Sequence, residues 1–305
     1  MRILVLSDIH GNLTALSTVM KHINSRGLNF DLILIAGDMP ATTQVSLMFE
    51  FMIKHPLRAL SKTGYTSWVY KGKGRSKFLS IQKHSIKKIL GLLGTLSIPI
   101  IYVPGNVDCI EVRETILQHS EAETYFLDCA KVVLNDIEFI GVGGSELDSS
   151  RSKMPLCDRE YHPLKYRERT NPLFNSSRDF DSSDPKITRI LITHEPPEFE
   201  IQKQSGIGQG GSATVSKLIQ FFNPDIAVFG HYHEIPLVKE TTNCIYVNPG
   251  PAARYKYALI DLSDTKPNVV LYKLPPLRRD MINFVYSISS YRRYPNVRPN
   301  NVFFK

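Results

Sequence analysis

Residues 1–10, MRILVLSDIH, place a short apolar run directly before an aspartate and a histidine. The run at residues 3–6 is too short for a helix and carries β-branched side chains, which is typical of a buried strand. Four more runs of this kind end as abruptly in small or polar residues, at residues 32–36, 98–103, 190–193 and 226–229. These five runs predict the central strands of the fold.

Helical periodicity separates the first two runs and recurs later in the chain. Between residues 12 and 26, apolar side chains recur at helical spacing, and Asn12 can cap the start while Gly27 can cap the end. Residues 81–93 and 212–222 predict two further amphipathic helices. More short apolar runs predict additional strands, at residues 131–134, 137–142, 244–247, 257–262 and 269–274. We therefore expect an α/β fold in which helices sandwich two central sheets, the first with parallel crossovers.

Three stretches fall outside this regular pattern. Residues 40–97 are long for a connection between two strands, so we expect a helical insertion there. Residues 146–186 are rich in Ser, Asp, Arg and Pro, which predicts a long loop or a lid. Residues 275–305 form a basic, tyrosine-rich tail without a strand period. No clean linker divides the remainder, so we expect one domain over residues 1–274.

The overall composition is that of an ordinary soluble globular protein, with 42% hydrophobic and 22% charged residues. No apolar run reaches the roughly 18 residues of a membrane-spanning helix, and the run at residues 3–6 is too short for a secretory signal. The four cysteines form no C-x-x-C pair, so a disulfide framework is not expected. These features predict a cytoplasmic protein in a reducing compartment.

Positive charge is concentrated in one segment of the chain. The formal net charge is +8, yet residues 51–107 contain no Asp or Glu and ten Lys or Arg residues. Such a block favours polyanions such as nucleic acid, nucleotides or acidic membrane surfaces, and the alternative is a solvated loop. Both ends of the insertion adjoin polar motifs, so we expect it to border the same cleft as they do. The side chains predicted to contact a polyanion are Lys71, Lys73, Arg75 and Lys77.

Chemically distinctive side chains follow each of the five apolar runs. In chain order the segments are Asp8-Ile9-His10, Gly37-Asp38, Gly105-Asn106, His194 and Gly230-His231-Tyr232-His233. Ligands of open α/β sheets sit beyond the carboxyl ends of the strands, so these segments should converge on one cleft. Two carboxylates, one amide and four imidazoles form a good shell for two transition metal ions. The alternative is a set of ordinary polar turns, which chance would rarely place after all five strands.

This series of motifs resembles that of the calcineurin-like metallophosphoesterases. D-x-H, GD, GN, a lone His and GH-x-H occur here in the family's order, from Asp8 to about Gly250. The resemblance implies the family's fold and two divalent metal ions, for which we expect Mn²⁺, with Fe, Zn, Co or Ni as alternatives. The ligands it implies for one ion are Asp8, His10 and His233, and for the other Asn106, His194 and His231. Asp38 would bridge both ions together with a hydroxide, so Asp38, Asn106 and His194 are the expected catalytic residues.

The sequence departs from the family at one position. Most members have a histidine directly after the GN asparagine, where it is thought to protonate the leaving group, and here this residue is Val107. Valine can neither donate nor accept a proton, so this general acid is absent. Asp108 matches the family, but without its histidine partner we expect a structural role. We therefore expect a phosphodiesterase or phosphoanhydride hydrolase whose leaving group is a stable anion, as in nucleotides or nucleic acid.

Two other functions are compatible with the sequence. Apolar and cationic side chains mix in the insertion, as in relatives that cleave lipid-linked pyrophosphates under a helical lid, so such a substrate and membrane-surface contact are alternatives. We favour the simpler interpretation, in which these apolar side chains pack against the domain. A non-catalytic scaffold or interaction subunit of the same fold is the other alternative. Scaffolds usually lose metal ligands, whereas all seven ligand positions are filled here.

Overall fold

The computed structural model of the chain describes residues 1–42, 45–55, 62–147, 155, 157–175, 187–198, 211–264 and 266–276. Nearly all of the predicted basic tail, from residue 277 to residue 305, lies outside these ranges. Among the described helices, none is both long enough and apolar enough to cross a bilayer.

Two six-stranded sheets form the centre of the fold. The first contains β1 (Arg2–Leu6), β2 (Leu32–Ala36), β3 (Ile100–Val103), β4 (Thr124–Phe126), β13 (Lys256–Asp261) and β14 (Asn268–Lys273), in the order β14-β13-β1-β2-β3-β4. The second contains β5 (Ala130–Leu134), β6 (Ile137–Val142), β9 (Thr188–Thr193), β10 (Ile226–Val228), β11 (Leu237–Glu240) and β12 (Ile245–Asn248), in the order β11-β12-β10-β9-β6-β5. Four adjacent strands of each sheet pair in parallel, and the remaining pairs are antiparallel.

All five apolar runs form strands within the parallel parts of these sheets, as β1, β2, β3, β9 and β10. The predicted α/β class with two sheets between helices is confirmed. Every residue of β2 and β3 is buried, because helices cover one face of the sheet and the second sheet covers the other. The second sheet is also parallel at its centre, a feature that the strand pattern did not predict.

Helices complete the layers on both outer faces. The first sheet is covered by α1 (Leu13–Ser25) and α5 (Val112–His119), and the second by α6 (Pro163–Asn175) and α7 (Ala213–Phe222). The predicted helix ends are present at the caps. The side chain of Asn12 accepts a hydrogen bond from Ala15 N at the start of α1, and Ser212 caps α7 through the amides of Thr214 and Val215.

Within its described residues, 40–42, 45–55 and 62–97, the predicted insertion carries three helices, α2 (Val45–Lys54), α3 (Lys62–Lys71) and α4 (Arg75–Gly94). They bury apolar side chains in the core that covers the outer face of the first sheet, among them Leu47, Phe51, Trp68, Phe78 and Ile86. This burial supports the interpretation that the apolar residues of the insertion mainly pack against the domain. Met48, Met52 and Ile53 of α2 stay exposed.

Residues 146–186 contain regular structure where the sequence predicted a long loop or lid, so that prediction is wrong for residues 160–175. The short strand β8 (Glu160–Tyr161) pairs in parallel with β7 (Ser145–Glu146), and α6 follows it. Proline suits the first position of α6, and one helix face buries Tyr166, Thr170 and Leu173. The helical spacing of these three residues is concealed in the sequence by the charged residues between them.

The insertion also binds the backbone of the turn that follows β3. Tyr70 of α3 donates a hydrogen bond from its hydroxyl to the carbonyl of Val107 at 2.6 Å. The fully buried Gln82 of α4 donates to the same carbonyl at 2.8 Å and accepts from Cys109 N at 2.9 Å. Ser85 of α4 accepts from Ala41 N at 2.9 Å. The insertion therefore supports the turns after both β2 and β3.

Replacement of Gln82 by leucine tests this support. Gln82→Leu leaves the buried amide of Cys109 without its acceptor, so we expect the free energy of unfolding to fall by about 1–3 kcal/mol. The measurement is urea unfolding of the metal-free protein. His84→Leu, at an exposed position of the same helix, is the matched polar-to-apolar control and should lie within about 0.5 kcal/mol of the wild type. Equal stability of the two variants would contradict the proposed support.

Candidate metal centre

The seven predicted metal ligands all lie in the turns that follow the central strands. Asp8 and His10 follow β1, Asp38 follows β2, Asn106 follows β3, His194 follows β9, and the pair His231 and His233 follows β10. Backbone hydrogen bonds join neighbouring turns within each sheet, from Asp8 N to Gly37 O at 3.0 Å in the first sheet and from Gly230 N to His194 O at 3.1 Å in the second. The structure therefore brings all seven predicted ligands to one end of the sheet pair.

Unusual backbone conformations are concentrated in these turns. Asp8, His10, Asp38 and His231 all have positive φ, between 47° and 65°, a region that non-glycine residues seldom occupy. Such conformations persist where the surrounding structure imposes them, and they are common at functional sites. Glycine is required beside them, because a Cβ on Gly105 would collide with the carboxylate of Asp38.

Asp8, His10 and His233 form the first group of potential metal ligands. His233 Nε2 lies 3.0 Å from Asp8 Oδ1, and His10 Nε2 lies 3.2 Å from His233 Nε2. His10 Nε2 is 3.8 Å from Asp8 Oδ1. This group matches the set that the family resemblance implies for one ion.

The second group is built around His194, which is completely buried. His194 Nε2 lies 3.4 Å from Asp38 Oδ2 and 3.1 Å from Asn106 Oδ1. The ring of His231 stands edge-on to the ring of His194, with the ring centroids 5.1 Å apart. Asp38 lies between the two groups, since its Oδ2 is also 3.9 Å from His10 Nε2.

The environment of His194 requires a positive charge at Nε2. His194 Nδ1 lies 2.9 Å from the carbonyl oxygen of Ala36, which can only accept, so Nδ1 carries a proton. On the other side of the ring, Nε2 faces the oxygens of Asn106 and Asp38, which also accept. If the ring were neutral, the lone pair of Nε2 would face the lone pairs of the Asn106 and Asp38 oxygens. A metal ion or a second proton at Nε2 would interact favourably with the nitrogen and with both oxygens. The donor set therefore fits a divalent cation at this position.

Burial and nearby charges determine the protonation of the cluster. Burial alone would raise the pKa of Asp8, but the charge of His233 and its hydrogen bond hold this pKa well below its usual range. Burial lowers the pKa of His231 to about 3, so this ring is neutral at pH 7 and able to bind a metal. Burial opposes the charged form of His194 as well, but the carboxylate of Asp38 outweighs it and raises the pKa to about 10.

Val107 presents no titratable group to the cleft. Its backbone amide donates to Asp38 Oδ1 at 3.1 Å, and its carbonyl is held by the insertion. The neighbouring Asp108 is fully buried and accepts from Gly105 N at 2.6 Å and from the hydroxyl of Tyr102. Burial, followed by the charge of Asp38, raises the pKa of Asp108 to about 7. These contacts support a structural role for Asp108, which fixes the turn that presents Asn106.

The four predicted substrate contacts lie on the insertion but differ in their surroundings. Arg75 forms ion pairs with Glu111 at 2.7 Å and with Asp158 at 2.8 Å, and Lys77 pairs with Glu50 at 2.7 Å. Lys71 and Lys73 are exposed, and Lys71 donates to the carbonyl of Pro155. Residues 51–107 contain no Asp or Glu, so the fold supplies these carboxylate partners from outside that segment.

Further side chains contact the predicted ligands and were not assigned to the site from the sequence, among them Ser7 and Glu195. Ser7 donates a hydrogen bond to Asp8 Oδ2. Glu195 is 2% exposed, and its Oε2 lies 3.5 Å from His231 Nε2. Each directly neighbours a predicted ligand in sequence, and adjacency was the only signal that could have found them.

Solved structures of low sequence identity share this fold. The TT1561 protein of Thermus thermophilus is 19% identical, with a TM-score of 0.51, and the match covers 88% of this chain and 97% of that one. A dimetal phosphatase from Danio rerio is 7% identical, with a TM-score of 0.50, over 88% of this chain and 98% of that one. At these identities the likeness shows the fold alone.

Sequence comparison identifies the family. The UPF0046 protein K07C11.7 of Caenorhabditis elegans is 27% identical over 120 residues, which span 38% of this chain and 38% of that protein. A model of the calcineurin-like phosphoesterase family matches residues 1–234, a stretch that contains all seven ligand positions. The chain belongs to the calcineurin-like phosphoesterase family.

Proposed function

We propose that the protein is a binuclear metal-dependent phosphohydrolase that cleaves phosphodiesters or phosphoanhydrides. The observation that carries this proposal is the convergence of all seven ligands on one cleft beside a valine that cannot transfer a proton. The filled ligand set favours catalysis over the alternative of a non-catalytic scaffold.

Each side chain of the site has a defined task in this proposal. One ion would be held by Asp8, His10 and His233, the other by Asn106, His194 and His231, with Asp38 shared between them. Two divalent ions bound there would supply an activated water as nucleophile and would neutralise the phosphoryl oxygens. The hydrogen bond from His194 Nδ1 to Ala36 O leaves Nε2 as the atom that would bind the ion. The amide of Val107 donates to Asp38 Oδ1 and would help to orient this carboxylate for the ions.

The mixed nitrogen and oxygen ligands indicate a borderline metal. Four imidazoles suit Mn, Fe, Co, Ni or Zn better than Ca or Mg, which prefer oxygen ligands. We propose Mn²⁺ first, because two carboxylates and an amide oxygen complete the set. Two such ions carry four positive charges, and Asp8 and Asp38 together carry two negative charges. The occupied site would therefore be positive overall and would attract a phosphate anion.

Substitution of the shared carboxylate tests the metal centre. Asp38→Asn removes a negative charge from both sites, so we expect fewer than two ions per chain. Hydrolysis of a small activated diester should fall by more than the roughly 100-fold that loss of an outer-shell partner costs. The measurements are elemental analysis of the purified protein and initial rates with Mn²⁺.

Asp261→Asn is the control for this substitution, because Asp261 pairs with Arg2 at the start of β1, the end of the strand opposite to Asp8 and the cleft. It should retain both ions and the full rate. Two ions still bound to Asp38→Asn would refute the bridging assignment, and a wild type that binds two ions without hydrolysing any phosphate ester would favour the scaffold.

The missing general acid leads to a test with graded leaving groups. Because Val107 cannot protonate the departing oxygen, the rate on aryl diesters should fall steeply as the leaving-group pKa rises. Val107→His should raise the rate on the poorest leaving groups by about 10²–10⁴-fold, the usual contribution of a general acid. Val107→Leu is the matched control and should show no such gain. A flat dependence for the wild type, with chemistry rate-limiting, would mean that another group supplies the proton.

We propose that contact between the insertion and a polyanionic substrate falls mainly to Lys71 and Lys73. Arg75 and Lys77 are held in ion pairs, whereas these two lysines are exposed at the end of α3 and in the turn before α4. Lys71→Ala with Lys73→Ala should reduce the log–log salt slope of single-stranded DNA binding by about 1.4, because each lysine would neutralise one phosphate and each such contact contributes about 0.7 to the slope for single strands.

The matched control is the double variant Lys87→Ala with Lys88→Ala, which removes two exposed charges from the middle of α4. Its salt slope should equal that of the wild type. Equal slopes for both double variants and the wild type would show that Lys71 and Lys73 do not contact the DNA phosphates and that the basic segment is a solvated surface.

A further inference from the structure

The carboxamide of Asn106 has two ends with opposite chemistry. Its Oδ1 can bind a metal ion, whereas its Nδ2 carries two hydrogens and cannot. The two ends are nearly equal in size, so shape alone does not decide which end faces the cleft. Asn106 is 7% exposed, so the choice depends on the protein groups that surround the amide.

Glu160 of β8 contacts the outer end of this amide. Asn106 Nδ2 lies 3.3 Å from Glu160 Oε1, and an ionised carboxylate can only accept a hydrogen bond. On the opposite side, Asn106 Oδ1 lies 3.1 Å from His194 Nε2, within the second ligand group. A flipped amide would place its oxygen against the carboxylate and its NH₂ group against the metal position. Glu160 therefore disfavours the orientation that cannot bind metal.

The carboxylate of Glu160 is itself held by its surroundings. Its Oε2 accepts a hydrogen bond from Cys157 N at 3.1 Å. The strand that carries it is anchored to β7 by hydrogen bonds from Ser145 N to Arg159 O at 2.9 Å and from Leu147 N to Tyr161 O at 2.7 Å. Because β7 closely follows β6 of the second sheet, Glu160 is fixed relative to the strands that present the ligands.

We propose that Glu160 is a positioning residue that orients the Asn106 carboxamide for the second metal ion. This inference rests on the proposed binuclear site and extends it to the segment around β8. The segment then belongs to the outer shell of the metal centre. Outer-shell partners of this kind typically change metal affinity by about 10–100-fold when they are removed.

The test is a Mn²⁺ titration of the metal-free, full-length protein by calorimetry, with wild type, Glu160→Ala, Glu160→Gln and Asp158→Asn. Glu160→Ala should lower the affinity for the second Mn²⁺ ion by about 10–100-fold and leave the affinity for the first nearly unchanged. Glu160→Gln retains a carbonyl oxygen that can accept a hydrogen bond from Asn106. It should therefore lower the affinity for the second ion by less than about fivefold. Asp158→Asn removes a carboxylate of the same segment that pairs with Arg75, and the second ion should bind as in the wild type.

Thermal unfolding of the metal-free proteins separates positioning from general stability. Similar midpoints for Glu160→Ala and Glu160→Gln, together with their different affinities for the second ion, would support the proposal. Wild-type affinity for the second ion in Glu160→Ala, or equal losses in Glu160→Ala and Glu160→Gln, would overturn it. A wild type that binds no second ion would overturn the binuclear function as well, which distinguishes failure of the site from failure of Glu160.

Discussion

Two buried carboxylates, Asp8 and Asp38, have to occupy one cleft between two hydrophobic sheets, and the rest of the structure depends on how this is achieved. Their oxygens are almost withdrawn from water, so burial opposes their charge. His194 and His233, whose pKa values are raised, supply the opposing charge, and a bound cation would do so more completely. The backbone at both aspartates is left-handed, a conformation that persists where the surrounding structure imposes it.

The need to hold these buried carboxylates in place changes the interpretation of the insertion. Its positive charge suggests a surface for polyanions, yet its best-defined contacts are with the turns that carry the ligands. Tyr70 and Gln82 donate to the carbonyl of Val107, Gln82 also accepts from Cys109 N, and Arg75 is fixed between Glu111 and Asp158. A turn that must present Asn106 without a regular strand around it needs such outside support. The insertion therefore acts first as a support for the metal centre, and only its exposed lysines are available to a substrate.

The turn around Val107 likewise keeps its structural contacts but offers no proton donor. Valine at position 107 removes proton transfer to the leaving group, while its backbone still serves the site by donating to Asp38. Asp108 accepts a hydrogen bond from Gly105 N within the turn. Glu160 accepts a hydrogen bond from the side-chain amide of Asn106. Under the proposed function, this arrangement would keep the geometry of metal binding without a general acid at position 107, so the nature of the leaving group would be the main restriction on the substrate.

The sequence alone determined the five central strands and the polar side chains that follow them, because each strand and its polar end are encoded by neighbouring residues. A short apolar run followed by Asp8 or His194 carries both the strand and its ligand within a few positions. The supports of the site were decided only by the tertiary structure. Gln82 reaches Val107 across 25 positions, Glu160 reaches Asn106 across 54, and Arg75 reaches Asp158 across 83. Such pairs leave no local periodicity, since hydrogen bonds and ion pairs between distant segments form only when folding brings those segments together.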